Sequence, residues 1–377
     1  MRRFKNFFEK QLFNEAVTKI TANRGDVAEV ILGAAVTSRF WKHPVGQDVN
    51  ENDIRSVLRI VMKSNPISLN RNDLEIDTKI SDTIRFRVGV PKLAYEFLKQ
   101  EKEWSKVDDL FASSSSYVNS DRRLILQSKI LAKNGKINDI FVNSDGTGDQ
   151  KGTKADIKLE VDGKKTRNQI SLKVQGGDQF MQIAGVTFDK QEQLWGKLGI
   201  DVSRGRKSYE EYMKKLQTTL TFYDRDSVTK SGSADNMRLA AEQTYKIAAK
   251  ELESKLNKKD KETIQKMANL IKYGATKDDE NIELVKLQSG KFKKAKFGKK
   301  YQENVKNANL AVSYKRKTDP IILVYDKDLG PIKGKIIQIR ARYSIEGVKT
   351  KAGKTYKPYL RNLLETGPLI WTLASDR

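Results

Sequence analysis

From Lys136 onward apolar residues recur at every second position, and that period commits this part of the chain to a β-sheet. Strands are predicted at Ile137–Val142, Asp156–Val161 and Arg167–Val174. The last two are joined by Asp162-Gly163-Lys164-Lys165, a hairpin composition. Ile157, Leu159 and Val161 then share one face, and Asp156, Lys158 and Glu160 the other. On the returning strand Ile170, Leu172 and Val174 face the core, while Gln169, Ser171 and Lys173 face away. With a four-residue loop at 162–165, Asp156 lies opposite Ser171, and Lys173 is one diagonal step away. Directly paired Cβ atoms are about 5 Å apart and diagonal ones about 7–8 Å. A two-residue loop shifts the pairing by two and keeps the same face.

Helical spacing surrounds this sheet. Arg24 to Trp41 reads as a helix capped by Asn23 or Thr21, with Val27, Ile31, Ala34, Ala35 and Ser38 in register. A second amphipathic helix fits residues 51–64 and ends at Asn65-Pro66. Strands at Leu74–Lys79 and Thr83–Val90 and helices near 91–104 and 120–134 follow. A helix is predicted from Gln179 to Leu198, and a mostly helical stretch from Tyr209 to Tyr273. Strands return at Glu283–Leu287, Leu310–Tyr314, Ile321–Tyr325 and Lys335–Tyr343. The fold class is α+β, mixed α/β in its middle. Pattern changes divide the chain into N-terminal helices (1–43), an insertion or accessory region (44–135), a sheet and helix (136–200), a helical region (201–280) and a basic β-rich region (281–377). At 377 residues, more than one folding unit is expected.

Composition narrows the chemistry. There is no cysteine and one histidine, His43, which excludes disulfides, thiol nucleophiles, Cys-ligated metals and His-rich clusters. Carboxylates, lysines, hydroxyls and a hard metal ion remain. A net charge of +24 favours a polyanionic partner. No apolar run is long enough to span a bilayer, and the N-terminus lacks the apolar stretch of a secretory signal, so a soluble cytoplasmic protein without a membrane partner is expected. Phe7, Phe8, Leu12 and Val17 are expected to pack an N-terminal helix onto the body.

A carboxylate and an ammonium held close on a sheet suit metal-assisted phosphodiester hydrolysis: Asp binds Mg²⁺, and the lysine orients the nucleophile or offsets developing charge. Glu29 on the first helix, Asp156, Ser171-Leu172-Lys173 and Gln179 together resemble the core of the PD-(D/E)XK nucleases. The resemblance covers residues 24–41 and 136–198. It implies a restriction-endonuclease-like αβββαβ core with a large insertion and an additional helical and β C-terminal region. By that likeness Glu29 and Asp156 hold Mg²⁺ (or Mn²⁺), Lys173 supports the attacking water, and Gln179 touches substrate or water. Ser171 stands where the family has Asp or Glu, and Ala155 where it has Pro. A hydroxyl is the poorer Mg²⁺ ligand, so Ser171 is a weak second ligand or a hydrogen-bonding group. Asp26, one turn before Glu29, is an alternative ligand. Glu160 is about 13 Å along the strand from Asp156, too far to share an ion.

Elsewhere, Gln175-Gly176-Gly177-Asp178 is either a phosphate-approaching loop or a plain turn, and no Walker sequence follows it. Asp145-Gly146-Thr147-Gly148-Asp149 reads as a connector. The run 291–300 carries Lys291, Lys293, Lys294, Lys296, Lys299 and Lys300, with Phe292 and Phe297 available to stack on unpaired bases. Arg340 and Arg342 project together from one face of the last predicted strand. The resulting expectation is a Mg²⁺-dependent deoxyribonuclease, an endonuclease of phage or bacterial type, with a homodimer as one possible arrangement. The alternative is a non-catalytic DNA- or RNA-binding protein for packaging, replication or assembly, which Ser171 favours.

Overall fold

The computed structural model describes residues 22–42, 47–70, 72–134, 139–145, 155–166, 169–174, 179–215, 224–276, 282–288, 291–295, 297–316, 318–350 and 353–374. The N-terminal helix with Phe7 and Phe8, His43, the 175–178 turn and most of the 145–149 connector lie outside them. The fold is α+β with two sheets. The chain forms two compact units, each discontinuous: Met1–Gly176 with Asp279–Lys294, and Gly177–Asp278 with Ala295–Arg377. These boundaries differ from the five segments drawn from pattern changes.

The chain opens with α1 (Arg24–Trp41), α2 (Glu51–Lys63), β1 (Ile67–Ser68), β2 (Asp73–Ser81), β3 (Ile84–Pro91), α3 (Lys92–Lys99), a 3₁₀ segment (Glu101–Val107), α4 (Asp108–Ser120) and α5 (Arg122–Asn134). Then come β4 (Ile140–Asp145), β5 (Ile157–Val161), β6 (Lys164–Lys165) and β7 (Gln169–Val174). It enters the second unit with β8 (Gln179–Ala184), α6 (Phe188–Gly196), α7 (Arg206–Lys214), α8 (Arg225–Lys230), α9 (Ser233–Asn257) and α10 (Lys261–Thr276). It returns to the first for β9 (Ile282–Gln288) and β10 (Lys291–Ala295). It ends in the second with α11 (Lys299–Asn307), β11 (Leu310–Arg316), β12 (Pro320–Asp326), α12 (Gly330–Lys333), β13 (Lys335–Thr350), β14 (Gly353–Thr366) and α13 (Pro368–Leu373).

In the first unit the strand order is β1-β2-β3-β4-β5-β7-β9-β10, with β6 paired to β5. The pairs β3–β4 and β7–β9 are parallel. Residues 44–135, expected to be an insertion, contribute β1, β2 and β3 to the sheet that also carries Lys173. Helix α1 begins where the Asn23 side chain accepts a hydrogen bond from the Gly25 amide at 2.9 Å. Its residues from Val30 to Phe40 are buried all round, as in a helix enclosed by its neighbours. Close approach to the sheet depends on Gly33, where an added Cβ would lie 2.9 Å from Phe86 Cζ and 3.1 Å from Ser144 Cβ. Gly33→Val is therefore expected to destabilise the first unit by about 1–3 kcal/mol through overpacking, read by urea denaturation; an unchanged midpoint would refute this contact. Helix α4 lacked an apolar signal because its inner face uses Ser113 and Ser114, both buried, beside Leu110, Phe111, Tyr117 and Val118.

The second unit holds the antiparallel sheet β11-β12-β13-β14-β8, with α9 packed on β11, β12 and β13. Residues 179–198 are not one helix. Residues 179–184 form β8, which pairs with the edge of β14 from Arg361↔Ala184 to Glu365↔Gln179, and the helix starts only at Phe188. Phe180, Met181, Ile183 and Ala184 fit either period, and a distant strand edge decides between them. Tyr245 of α9 donates to Asn362 Oδ1 at 2.9 Å and meets Trp195 edge-on, centring this core.

Candidate metal and phosphate site

The β5–β7 hairpin turns tightly. Asp162 and Gly163 have φ of 50° and 72°, and Val161 pairs with Lys164, so the loop has two residues rather than four. The register then shifts. The Thr166 amide and hydroxyl both donate to Leu159 O, at 3.0 and 2.9 Å. The buried Gln169 side chain, expected to face away from the core, donates to Leu159 O and Thr166 O. By Ile157↔Ile170 the pairing is the one a four-residue loop would have given. Two extra residues are absorbed as an irregularity in the returning strand.

The shift sets which residues meet across the hairpin. The Asp156 amide donates to Ile170 O at 2.7 Å. Its Oδ2 accepts from the Leu172 amide at 2.5 Å and lies 3.6 Å from Lys173 Nζ. Neither group of that pair is fully enclosed, with side-chain exposures of 28% for Lys173 and 18% for Asp156. Glu29 approaches from the first third of α1. Burial raises its carboxyl well above the ordinary range, and the negative charges of Asp156 and Asp26 add to that, against the opposing effect of Lys173. Asp26 is raised too, by burial and then by Asp73. Glu29, remote in sequence from the hairpin, thus lies within the electrostatic reach of Asp156 and Lys173.

Ser171 is fully buried and its Oγ has no hydrogen-bond partner among the described protein atoms. Gln179 was expected at the head of a helix. It is an exposed residue of β8 in the second unit, not the head of a helix. Lys286 was not anticipated: on β9 it is the direct ladder partner of Lys173. Its strand showed in the sequence, but nothing there revealed β7 as its neighbour.

Among the described residues no group of three or more His, Cys, Asp or Glu side chains is arranged to hold a metal ion. Two carboxylates, Glu29 and Asp156, are nevertheless a sufficient protein contribution to a Mg²⁺ site completed by water and phosphate. Burial, with the added negative charge of Asp156 and Asp26, pushes Glu29 toward its neutral form, a condition that a cation between the carboxylates relieves, so this pair fits such an ion. The proton linkage has a definite sign. With the folded-state value raised, folded protein holds the Glu29 proton at pH values where unfolded chain has lost it. That stabilisation is complete below the ordinary value of 4.5 and is lost as pH rises through the folded value. Glu29→Gln is expected to remove this component from the decline of Tm with rising pH, and to abolish any Tm increase on adding Mg²⁺. Equal Mg²⁺ stabilisation of wild type and variant, seen by calorimetry, would exclude Glu29 as a ligand.

The basic run is divided between the two units. Lys291 and Lys293 are exposed on β10, Lys299 and Lys300 are exposed at the start of α11, and Lys296 lies outside the described residues. Lys294 turns inward instead, paired with Asp121 and 3.8 Å from Glu283. The rings are engaged as well: Phe292 meets Tyr117 edge-on at 5.8 Å, and Phe297 meets Tyr301 at 5.0 Å. They are packing residues, not free stacking platforms. Arg340 and Arg342 alternate onto one face of β13; Arg342 is exposed, while Arg340 lies 3.7 Å from Glu365. No helix among the described residues is long and apolar enough to cross a membrane. Compared with protein-family models, with curated proteins and with solved structures, the chain matches none.

Proposed function

We propose that this chain is a metal-dependent nuclease of the PD-(D/E)XK type that hydrolyses DNA phosphodiester bonds. The observation that carries the reading is Lys173 Nζ at 3.6 Å from Asp156 Oδ2, with the Glu29 carboxyl inside the field of both. In this reading α1, the antiparallel β4, β5 and β7, and the parallel β9 are the nuclease core. The excursion through the second unit falls where the family places a helix before its last core strand.

Glu29 and Asp156 would hold Mg²⁺, which when bound withdraws charge from the phosphate and lowers the pKa of water. The Leu172 amide fixes the Asp156 oxygen that also faces Lys173. Lys173 orients the attacking water and offsets negative charge growing on the phosphate. Lys286, beside it on the ladder, adds a second cation for the phosphate. The +24 charge supplies affinity that falls with salt.

The test is incubation of supercoiled and linear DNA with wild type and Asp156→Asn in Mg²⁺, Mn²⁺ or EDTA. Wild type should nick or degrade DNA only with metal, and Asp156→Asn should be at least about 100-fold slower. A second reading, a non-catalytic nucleic-acid-binding protein, is favoured by the enclosed Ser171 at the position of the family's second acid. Salt-dependent binding in EDTA with no cleavage under any metal would decide for it.

A further inference from the structure

We infer that a groove in the second unit, between the end of α6 and the C-terminal half of α10, binds an unpaired nucleic acid strand with Tyr273 as its stacking platform. This deepens the nuclease reading and rests on it for the class of partner. The groove encloses about 400 Å³ and is lined by Lys197, Lys266, Asn269, Leu270, Lys272 and Tyr273. Tyr273 is 40% exposed, and the other large hydrophobic side chains this exposed among the described residues are all Leu or Ile. The groove thus sets an exposed aromatic ring among lysines, the combination on which an unpaired base stacks while its backbone meets positive charge.

Charge and ring coincide. Lys197 Nζ stands over the Tyr273 ring, 5.1 Å from its centroid, so a base that stacks there takes the place of the ammonium, which moves aside to the adjoining phosphate. Lys266 lies across Gly199, whose φ is +72° and where an added Cβ would come 3.1 Å from Lys266 Nζ. The glycine therefore serves both the turn and the lysine's path. Glu262 pairs with Lys266 at 2.6 Å. Among the described residues no carboxylate lines the groove itself. Unpaired strands offer base faces and phosphates together. A duplex hides its base faces and gains only the charge term.

Fluorescence anisotropy in EDTA tests this with the full chain and labelled 12-nucleotide DNA, 12-nucleotide RNA and a 12-base-pair duplex. Tyr273→Ala should bind both single strands about 10-fold more weakly, with Tyr273→Phe at wild-type affinity and duplex binding changed less than about twofold. Lys197→Ala should reduce the salt slope by about one. The DNA and RNA arms show which sugar is preferred. Wild-type single-strand affinity in Tyr273→Ala, or equal losses on single strand and duplex, would overturn the groove. Cleavage by wild type with Mg²⁺ alongside a silent Tyr273→Ala removes the groove and leaves the nuclease. Tyr273-dependent binding by a chain that never cleaves removes the nuclease and leaves the groove.

Discussion

Lys173→Ala is expected to lower metal-dependent DNA cleavage by about 10²–10⁴-fold, the range for loss of a positioned group that manages charge or protons in the transition state. Binding measured in EDTA should stay within a factor of three, since one lysine among 72 basic residues contributes little to non-specific affinity. The variant also tests the electrostatics of the cluster. Lys173 is the cation that lowers the Glu29 proton affinity, against burial and two neighbouring carboxylates. Without it Glu29 holds its proton more tightly, so the acid limb of any residual rate profile should move to higher pH. Single-turnover assays across pH read both effects. Unchanged cleavage, or an acid limb that stays in place, would mean that the hairpin is not the reacting centre.

Lys294→Ala is expected to cost about 3–5 kcal/mol of stability in the first unit, the range for breaking a buried ion pair from one side. Its partner Asp121 has a side chain only 3% exposed and Glu283 one only 6% exposed. Burial would raise Asp121, but the charge and hydrogen bond of Lys294, with the Leu124 amide, hold it below its ordinary value. Glu283 is raised by burial and by Asp121, and accepts from the Tyr117 hydroxyl at 2.8 Å. Removing the ammonium leaves two enclosed carboxylates facing each other. Lys293→Ala, one residue earlier and exposed, should change stability by less than about 0.5 kcal/mol. Urea midpoints for the two variants settle the matter: equal values would show that the cluster carries no net stability. The Asp121 contribution is present above its ordinary value of 3.8 and is lost as pH falls through the depressed one.

What the sequence disclosed was what neighbours in sequence decide. Helix α1 and the face shared by Asp156, Ser171 and Lys173 follow from spacing alone, and parity protected that face even though the turn has two residues. Gln179 was misplaced because a strand edge more than 180 residues later captures its segment. Lys286 was invisible for the same reason: parallel pairing of β7 with β9 follows an excursion through another unit. Strand β14 carries Lys354, Lys357 and Arg361 among its apolar residues, and its partner β13 supplies the order that its own pattern does not announce. Lys294 was assigned to nucleic-acid contact with the rest of its run because a lysine run looks uniform, whereas its two carboxylate partners come from elements remote in the chain.

The interrupted path of the chain has a consequence for biogenesis. Strand β7, which carries Lys173, gains its outer neighbour only when Ile282–Gln288 has been made, after the whole stretch from Gly177 to Asp278. Until then one side of the lysine strand presents unpaired amides and carbonyls, the kind of open border that recruits foreign strands. During synthesis the centre is thus assembled late, by closure over a long sequence separation that slows folding. A ribosome-bound chain halted near residue 278 would display Asp156 and Lys173 without the strand that secures them, and would be a natural client for a chaperone that covers exposed strand borders.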